Sequence, residues 1–79
     1  MSRLVQEIVA QVLVAHTLGY SKDELLLLVS KADLHAIASQ EPKFFIARKT
    51  LTGAEMFFMG IKIKIMGTKS APELVRRLF

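Results

Sequence analysis

Apolar residues in the first part of the chain recur at helical spacing. Leu4, Val5, Ile8, Val9, Val12, Leu13 and His16 share one face, while Arg3, Gln6, Glu7 and Gln11 fall off it. Ser2 stands at the N-cap position and Gly19 supplies a left-handed stop, so residues 3–18 are predicted to be helix. Its four valines each lower intrinsic helix propensity by about half a kcal/mol relative to alanine, so this helix depends on tertiary packing.

The next stretch admits two readings. Ser21 and Glu24 have capping-box spacing and could open a helix through Leu25-Leu26-Leu27-Leu28-Val29. Alternatively, Leu25 to Val29 is a buried strand, and Ser30 with Asp33 caps a helix over Lys31 to Ser39. A single helix across Leu25 to Ala38 would be apolar on nearly every side, more than a small domain can cover, which favours strand then helix. Pro42 closes the segment.

Lys43 to Lys49 reads as a strand and Thr50 to Ala54 as its turn. Over 56–66 the alternation has period two, with Phe57, Met59, Ile61, Ile63 and Ile65 on one face. Met56, Phe58, Gly60, Lys62, Lys64 and Met66 take the other, and Gly60 marks a bulge or a close backbone approach. Lys62 and Lys64 also act as charges that keep a sticky strand from recruiting copies of itself. Ser70-Ala71-Pro72-Glu73 has the spacing of a further capping box, so 70–79 is expected to be a short helical docking arm with Leu74, Val75, Leu78 and Phe79 on one face. The expected fold is a single α+β domain over 1–79: an N-terminal helix packed on a small, mainly antiparallel sheet, a second helix and the C-terminal helical arm.

With 79 residues the chain has room for one core, and a hydrophobic fraction of 52% lies far from the disordered range. A domain this small leaves apolar surface uncovered, which points to contact with another chain or with itself. Charge divides unevenly. Residues 1–40 carry three basic against four acidic residues, and residues 41–79 carry eight basic against three acidic. A basic second half suits an acidic partner surface or nucleic acid. The longest stretch without Asp, Glu, Lys or Arg, Ile8 to Ser21, is shorter than a bilayer span, and Met1-Ser2-Arg3 does not open a signal peptide. A soluble protein of the cytoplasm is the expectation, with no membrane partner.

Chemistry-bearing groups are few. There is no cysteine, which excludes disulfides, zinc-thiolate sites and a thiol nucleophile. His16 and His35 are expected to be core or half-buried residues, since His16 has no aspartate one turn away, and Asp33 and His35 are two apart and so on different helix faces. Ser21, Ser30 and Ser70 have capping explanations. No phosphate loop, dinucleotide fingerprint or metal-ligand spacing occurs, so no enzyme activity, cofactor, metal or small-molecule substrate is expected.

Two resemblances bear on function. The run Val14 to Leu25, with Leu18-Gly19-Tyr20-Ser21 at its centre, resembles the turn of helix-turn-helix proteins. It implies a winged helix, with the hairpin over 43–66 as wing and phosphate contacts from Arg48, Lys49, Lys62 and Lys64. Leu27 to Ile37, followed by Phe58-Met59-Gly60-Ile61-Lys62-Ile63-Lys64-Ile65, resembles a strand, helix and hairpin segment of tailed-phage major capsid proteins. That resemblance covers roughly half the chain, which lacks the proline that follows Gly-Ile in the family pattern. It implies a small phage-encoded protein, either a virion accessory component or an inhibitor of a host protein, placed in the host cytoplasm or the virion.

The favoured expectation is a non-catalytic protein-protein interaction protein that also self-associates. Its apolar anchors would be Met56, Phe58, Met66, Leu78 and Phe79, with steering charge from Lys62, Lys64, Arg76 and Arg77.

Overall fold

The computed structural model describes residues 2–67 and 71–77. Helix α1 (Arg3–Thr17) starts where expected: the Ser2 hydroxyl accepts the Val5 N–H at 3.2 Å and donates to Gln40 Oε1 at the far end of the second helix. Its end is a Schellman closure, in which Gly19 at φ +89 lets its own N–H reach His16 O and the Tyr20 N–H reach Ala15 O. Ser21 and Glu24 do pair as a box, but around a single 3-10 turn (Lys22–Glu24) that hands over directly to strand β1 (Leu25–Val29). Ser30 then caps helix α2 (Lys31–Gln40) through the Asp33 N–H. Strand followed by helix is therefore the correct reading of 25–40, and the helix-turn-helix expectation fails here. What would be its second helix is a strand in the interior of the sheet.

A 3-10 turn at Pro42–Phe44 leads into β2 (Phe45–Thr50), β3 (Gly53–Phe58) and β4 (Ile61–Ile65), and β5 (Glu73–Arg76) ends the described chain. The five strands form one sheet in the order β2-β3-β4-β1-β5. β1 runs parallel to β4, and the other three pairings are antiparallel, so the sheet is mixed but mainly antiparallel as expected. Leu25, Leu27 and Val29 of β1, Ile61 and Ile63 of β4 and Phe58 of β3 close one core with Val5, Ile8 and Ala15 of α1 and Leu34 and Ile37 of α2. Both helices thus cover the same face of the sheet.

Three expectations change. The alternation over 56–66 is not one strand: Met59 (φ +54) and Gly60 (φ +81) form a two-residue turn with both φ values positive, the geometry that suits a tight hairpin. Phe58 and Ile61 therefore face each other across it, and the phase of the alternation shifts by one at the turn. Phe58 joins the isoleucines in the core, and Phe57 goes to the opposite face with Lys62. The C-terminal segment is also a strand, not a helical arm. β1 is apolar along its whole length and needs hydrogen-bonding neighbours on both sides, and β5 supplies the second one. Gln11 of α1 holds β5 from outside by donating to Pro72 O (3.1 Å) and accepting the Leu74 N–H (2.8 Å). Ser70, Leu78 and Phe79, which the expected arm included, lie outside the described residues. Finally, the buried stripe of α1 is turned toward Ala15, which leaves Leu13 and His16 exposed; His35 is exposed as well.

The hairpin turn yields a stability prediction. A methyl group added at Gly60 would stand 2.9 Å from Lys22 Cδ and would occupy a left-handed conformation. Gly60→Ala is expected to lower the unfolding free energy by about 1–2 kcal/mol, mostly from backbone strain. Urea denaturation checks this, and adding Lys22→Ala should recover only the smaller, steric share.

Candidate functional site

The face of the sheet turned away from the helices is the site. Alternation along each strand sends Leu25, Leu27 and Val29 to the core and Leu26 and Leu28 outward, and cross-strand register carries that division through the sheet. One unbroken row crosses all five strands on the outward face: Ile46, Phe57, Lys62, Leu26 and Val75, each paired directly with the next. Four of its five members are apolar, Lys62 stands at the centre, and Ile46 is 53% exposed at the β2 end. None of the row is buried. Lys64, Leu28 and Glu73 form a neighbouring row, and Arg48 faces Glu55 on the outer hairpin.

The charges of this face are organised around Glu55. Its carboxylate lies 3.3 Å from Arg48 Nη2 and 3.8 Å from Lys62 Nζ, so it bridges the two cations. The Arg48 guanidinium also lies over the Phe57 ring, 5.1 Å from its centroid. Such exposed pairs add little to stability. What they do is hold Arg48 and Lys62 against Phe57, so that cations and an aromatic ring are presented together in fixed register.

The sequence-predicted site residues separate in the structure. Lys62 and Lys64 lie on this open face, and so does Arg48. Phe58 has no exposed surface and meets Phe44 edge-on at 6.0 Å, so it is a core residue and cannot anchor a partner. Met56 is half-buried against the same core, and the Met66 N–H bonds Val29 O where β4 ends. Lys49 points to the opposite face from Arg48, on the exposed end of the hairpin. Arg76 lies over the Tyr20 ring at 5.0 Å and 3.8 Å from Glu24, and Arg77 Nε donates to Leu25 O, so both secure the β5 end of the sheet. Leu78 and Phe79 lie outside the described residues. Leu26, Leu28, Ile46 and Phe57, which carry the open face, were not singled out from sequence; the signal for two of them was a strand apolar at every position.

Among the described residues no group of three or more histidine, cysteine or acidic side chains could hold a metal ion, and no helix is long and apolar enough to cross a membrane. No protein-family model, curated protein or solved structure matches this chain.

One titrating group supports the rim of the sheet. Glu24 Oε1 accepts the Ser21 N–H and hydroxyl, both at 3.1 Å, and these bonds, with a smaller contribution from Arg76, hold its carboxyl below the ordinary value of 4.5. A depressed carboxyl contributes stability that is present above 4.5 and is lost as pH falls through the lowered value. Stability measured by urea denaturation between about pH 5 and about pH 3 is therefore expected to fall more steeply in the wild type than in Glu24→Gln.

Proposed function

We propose that this is a non-catalytic interaction protein whose open sheet face docks on a protein surface bearing apolar groups and carboxylates. The row from Ile46 to Val75 carries the reading: an apolar strip spanning the sheet, uncovered by any described element, with a lysine at its centre and Arg48 and Lys64 beside it. Apolar side chains supply the contact area, and the cations select an acidic partner and steer its approach. A five-stranded sheet with one covered face is a rigid platform, so little ordering cost accompanies binding. Occupying a partner's surface in this way is how a phage accessory component or an inhibitor of a host protein would act, the roles that the capsid-segment resemblance implies.

The placement of Arg48 over Phe57 and of Lys62 opposite it, with Lys64 in the neighbouring row, favours a second reading, a single nucleic-acid strand stacked on the ring with its phosphates on the cations. Glu55 counts against it, because it already neutralises part of that charge at the ring.

Selection from a displayed library of peptides rich in Asp, Glu, Leu and Phe, with binding then measured at about 50 and about 200 mM salt, separates the two. Acidic-apolar peptides are expected to bind, to lose at least tenfold in affinity in Ile46→Asp and Phe57→Ala, and to weaken only by about tenfold or less between the two salt concentrations, because few cations contribute beside the apolar contact. A single-stranded oligonucleotide that binds instead, and weakens by orders of magnitude over the same salt range, overturns the proposal.

A further inference from the structure

The two edges of the sheet differ. At the outer edge of β5, Gln11 accepts the Leu74 N–H and donates to Pro72 O, so its carboxamide stands where a peptide group of a further strand would be. No described element does this at the outer edge of β2, where Ile46 to Thr50 are all exposed.

Register decides which backbone groups the β2 edge presents. Thr50 pairs with Gly53 across a two-residue turn, and the Met59 N–H bonds Phe44 O in the same phase. Ile46, Arg48 and Thr50 therefore direct their N–H and C=O groups at β3, and Ala47 and Lys49 direct theirs outward. Side chains alternate too, with Ile46 and Arg48 on the open face and Lys49 on the other. Two consecutive cations thus flank the outward peptide groups, one on each face. Arg48 meets Glu55 through Nη2 alone, and Lys49 has no acidic partner among the described residues. Beside the edge, Ile46, Arg48, Phe57 and Gly60 line an open hollow of about 320 Å³.

We propose that β2 takes an extended acidic segment of a partner protein as a sixth strand, antiparallel to β2. This rests on the reading of the sheet face as a docking surface and names the form of the segment that docks there. Charge selects the occupant. Opposite Lys49 and Arg48 the segment carries consecutive carboxylates, one for each face, and opposite Ile46 a large apolar side chain that reaches the hollow. A second copy of the chain fits poorly. The antiparallel self-pairing that engages the outward groups of both Ala47 and Lys49 on each copy sets Arg48 directly against the same arginine of the other. The cations that keep β2 from pairing with itself are the ones that admit an acidic strand.

The probe is the capped peptide Thr-Glu-Glu-Val-Phe-Thr, whose second to fifth residues would lie opposite Lys49, Arg48, Ala47 and Ile46, titrated into the isotope-labelled full chain and followed by NMR. Binding is expected to slow hydrogen exchange at the Ala47 and Lys49 amides. Methylating the valine nitrogen removes the donor to Ala47 O and sets a methyl against β2, so it is expected to raise the dissociation constant by about tenfold or more. Methylating the second glutamate nitrogen, which points away from β2, is expected to change it by no more than about twofold. Lys49→Glu, whose side chain lies off the open face, is expected to weaken binding about fivefold with an unchanged far-UV spectrum. Equal effects of the two methylations overturn the strand addition and leave the sheet-face reading standing. A peptide that does not bind, while library selection yields acidic-apolar binders, overturns the strand addition alone; no binder of either kind overturns both. A chain that is dimeric by light scattering, with the Ala47 and Lys49 amides protected before any peptide is added, overturns it in favour of a second copy.

Discussion

The structure depends on how β1 is satisfied. Leu25 to Val29 is apolar at every position, so the strand must be covered on at least one face and paired along both edges. β4 satisfies one edge in parallel register and β5 the other in antiparallel register. The parallel pairing dictates the middle of the chain, since the chain must cross over before it can return beside β1 in the same direction. Here α2 and the β2-β3 hairpin make up that crossover. The antiparallel pairing dictates the C-terminal segment, because no other described element reaches the outer edge of β1. Helices on one face bury Leu25, Leu27 and Val29 completely and leave Leu26 and Leu28 half-covered on the other. The open face is thus a consequence of placing a two-sided apolar strand at the centre of a sheet whose helices all lie on one side.

Local chemistry made much of this legible in the sequence. Ser2 and Ser30 accept N–H groups, and Gly19 donates to a carbonyl, of their own helices, so their roles can be read without knowing the fold, and both helices fall within a residue or so of their expected limits. The misreadings share a physical cause, which is that the deciding interaction is distant in sequence. Nothing near Glu73 states that β1 has an unpaired edge some fifty residues earlier, and Glu73, Leu74 and Val75 suit a short helix as well as a strand. Met59-Gly60 lacks the Asn-Gly signature of a two-residue hairpin, and a methionine held at φ +54 is not visible as a turn. Missing that turn reversed the faces of Phe57 and Phe58, which moved one aromatic from the core into the expected site and the other out of it.

The same reversal explains why the candidate site was only partly legible. Charge position survives a change of phase less well than charge content: the basic second half is plain from composition, but which cations share a face depends on register. Register places Lys62 between Phe57 and Leu26, and Lys64 beside Leu28, so the lysines interrupt apolar rows instead of bordering them. An interrupted row is a poor template for further strands or sheets of its own kind, because stacking two such faces opposes lysine with lysine. It remains a good surface for a partner that carries carboxylates. The sheet face thus discourages self-contact through its cations, while Ile46, Phe57 and Leu26 between and beside them stay uncovered.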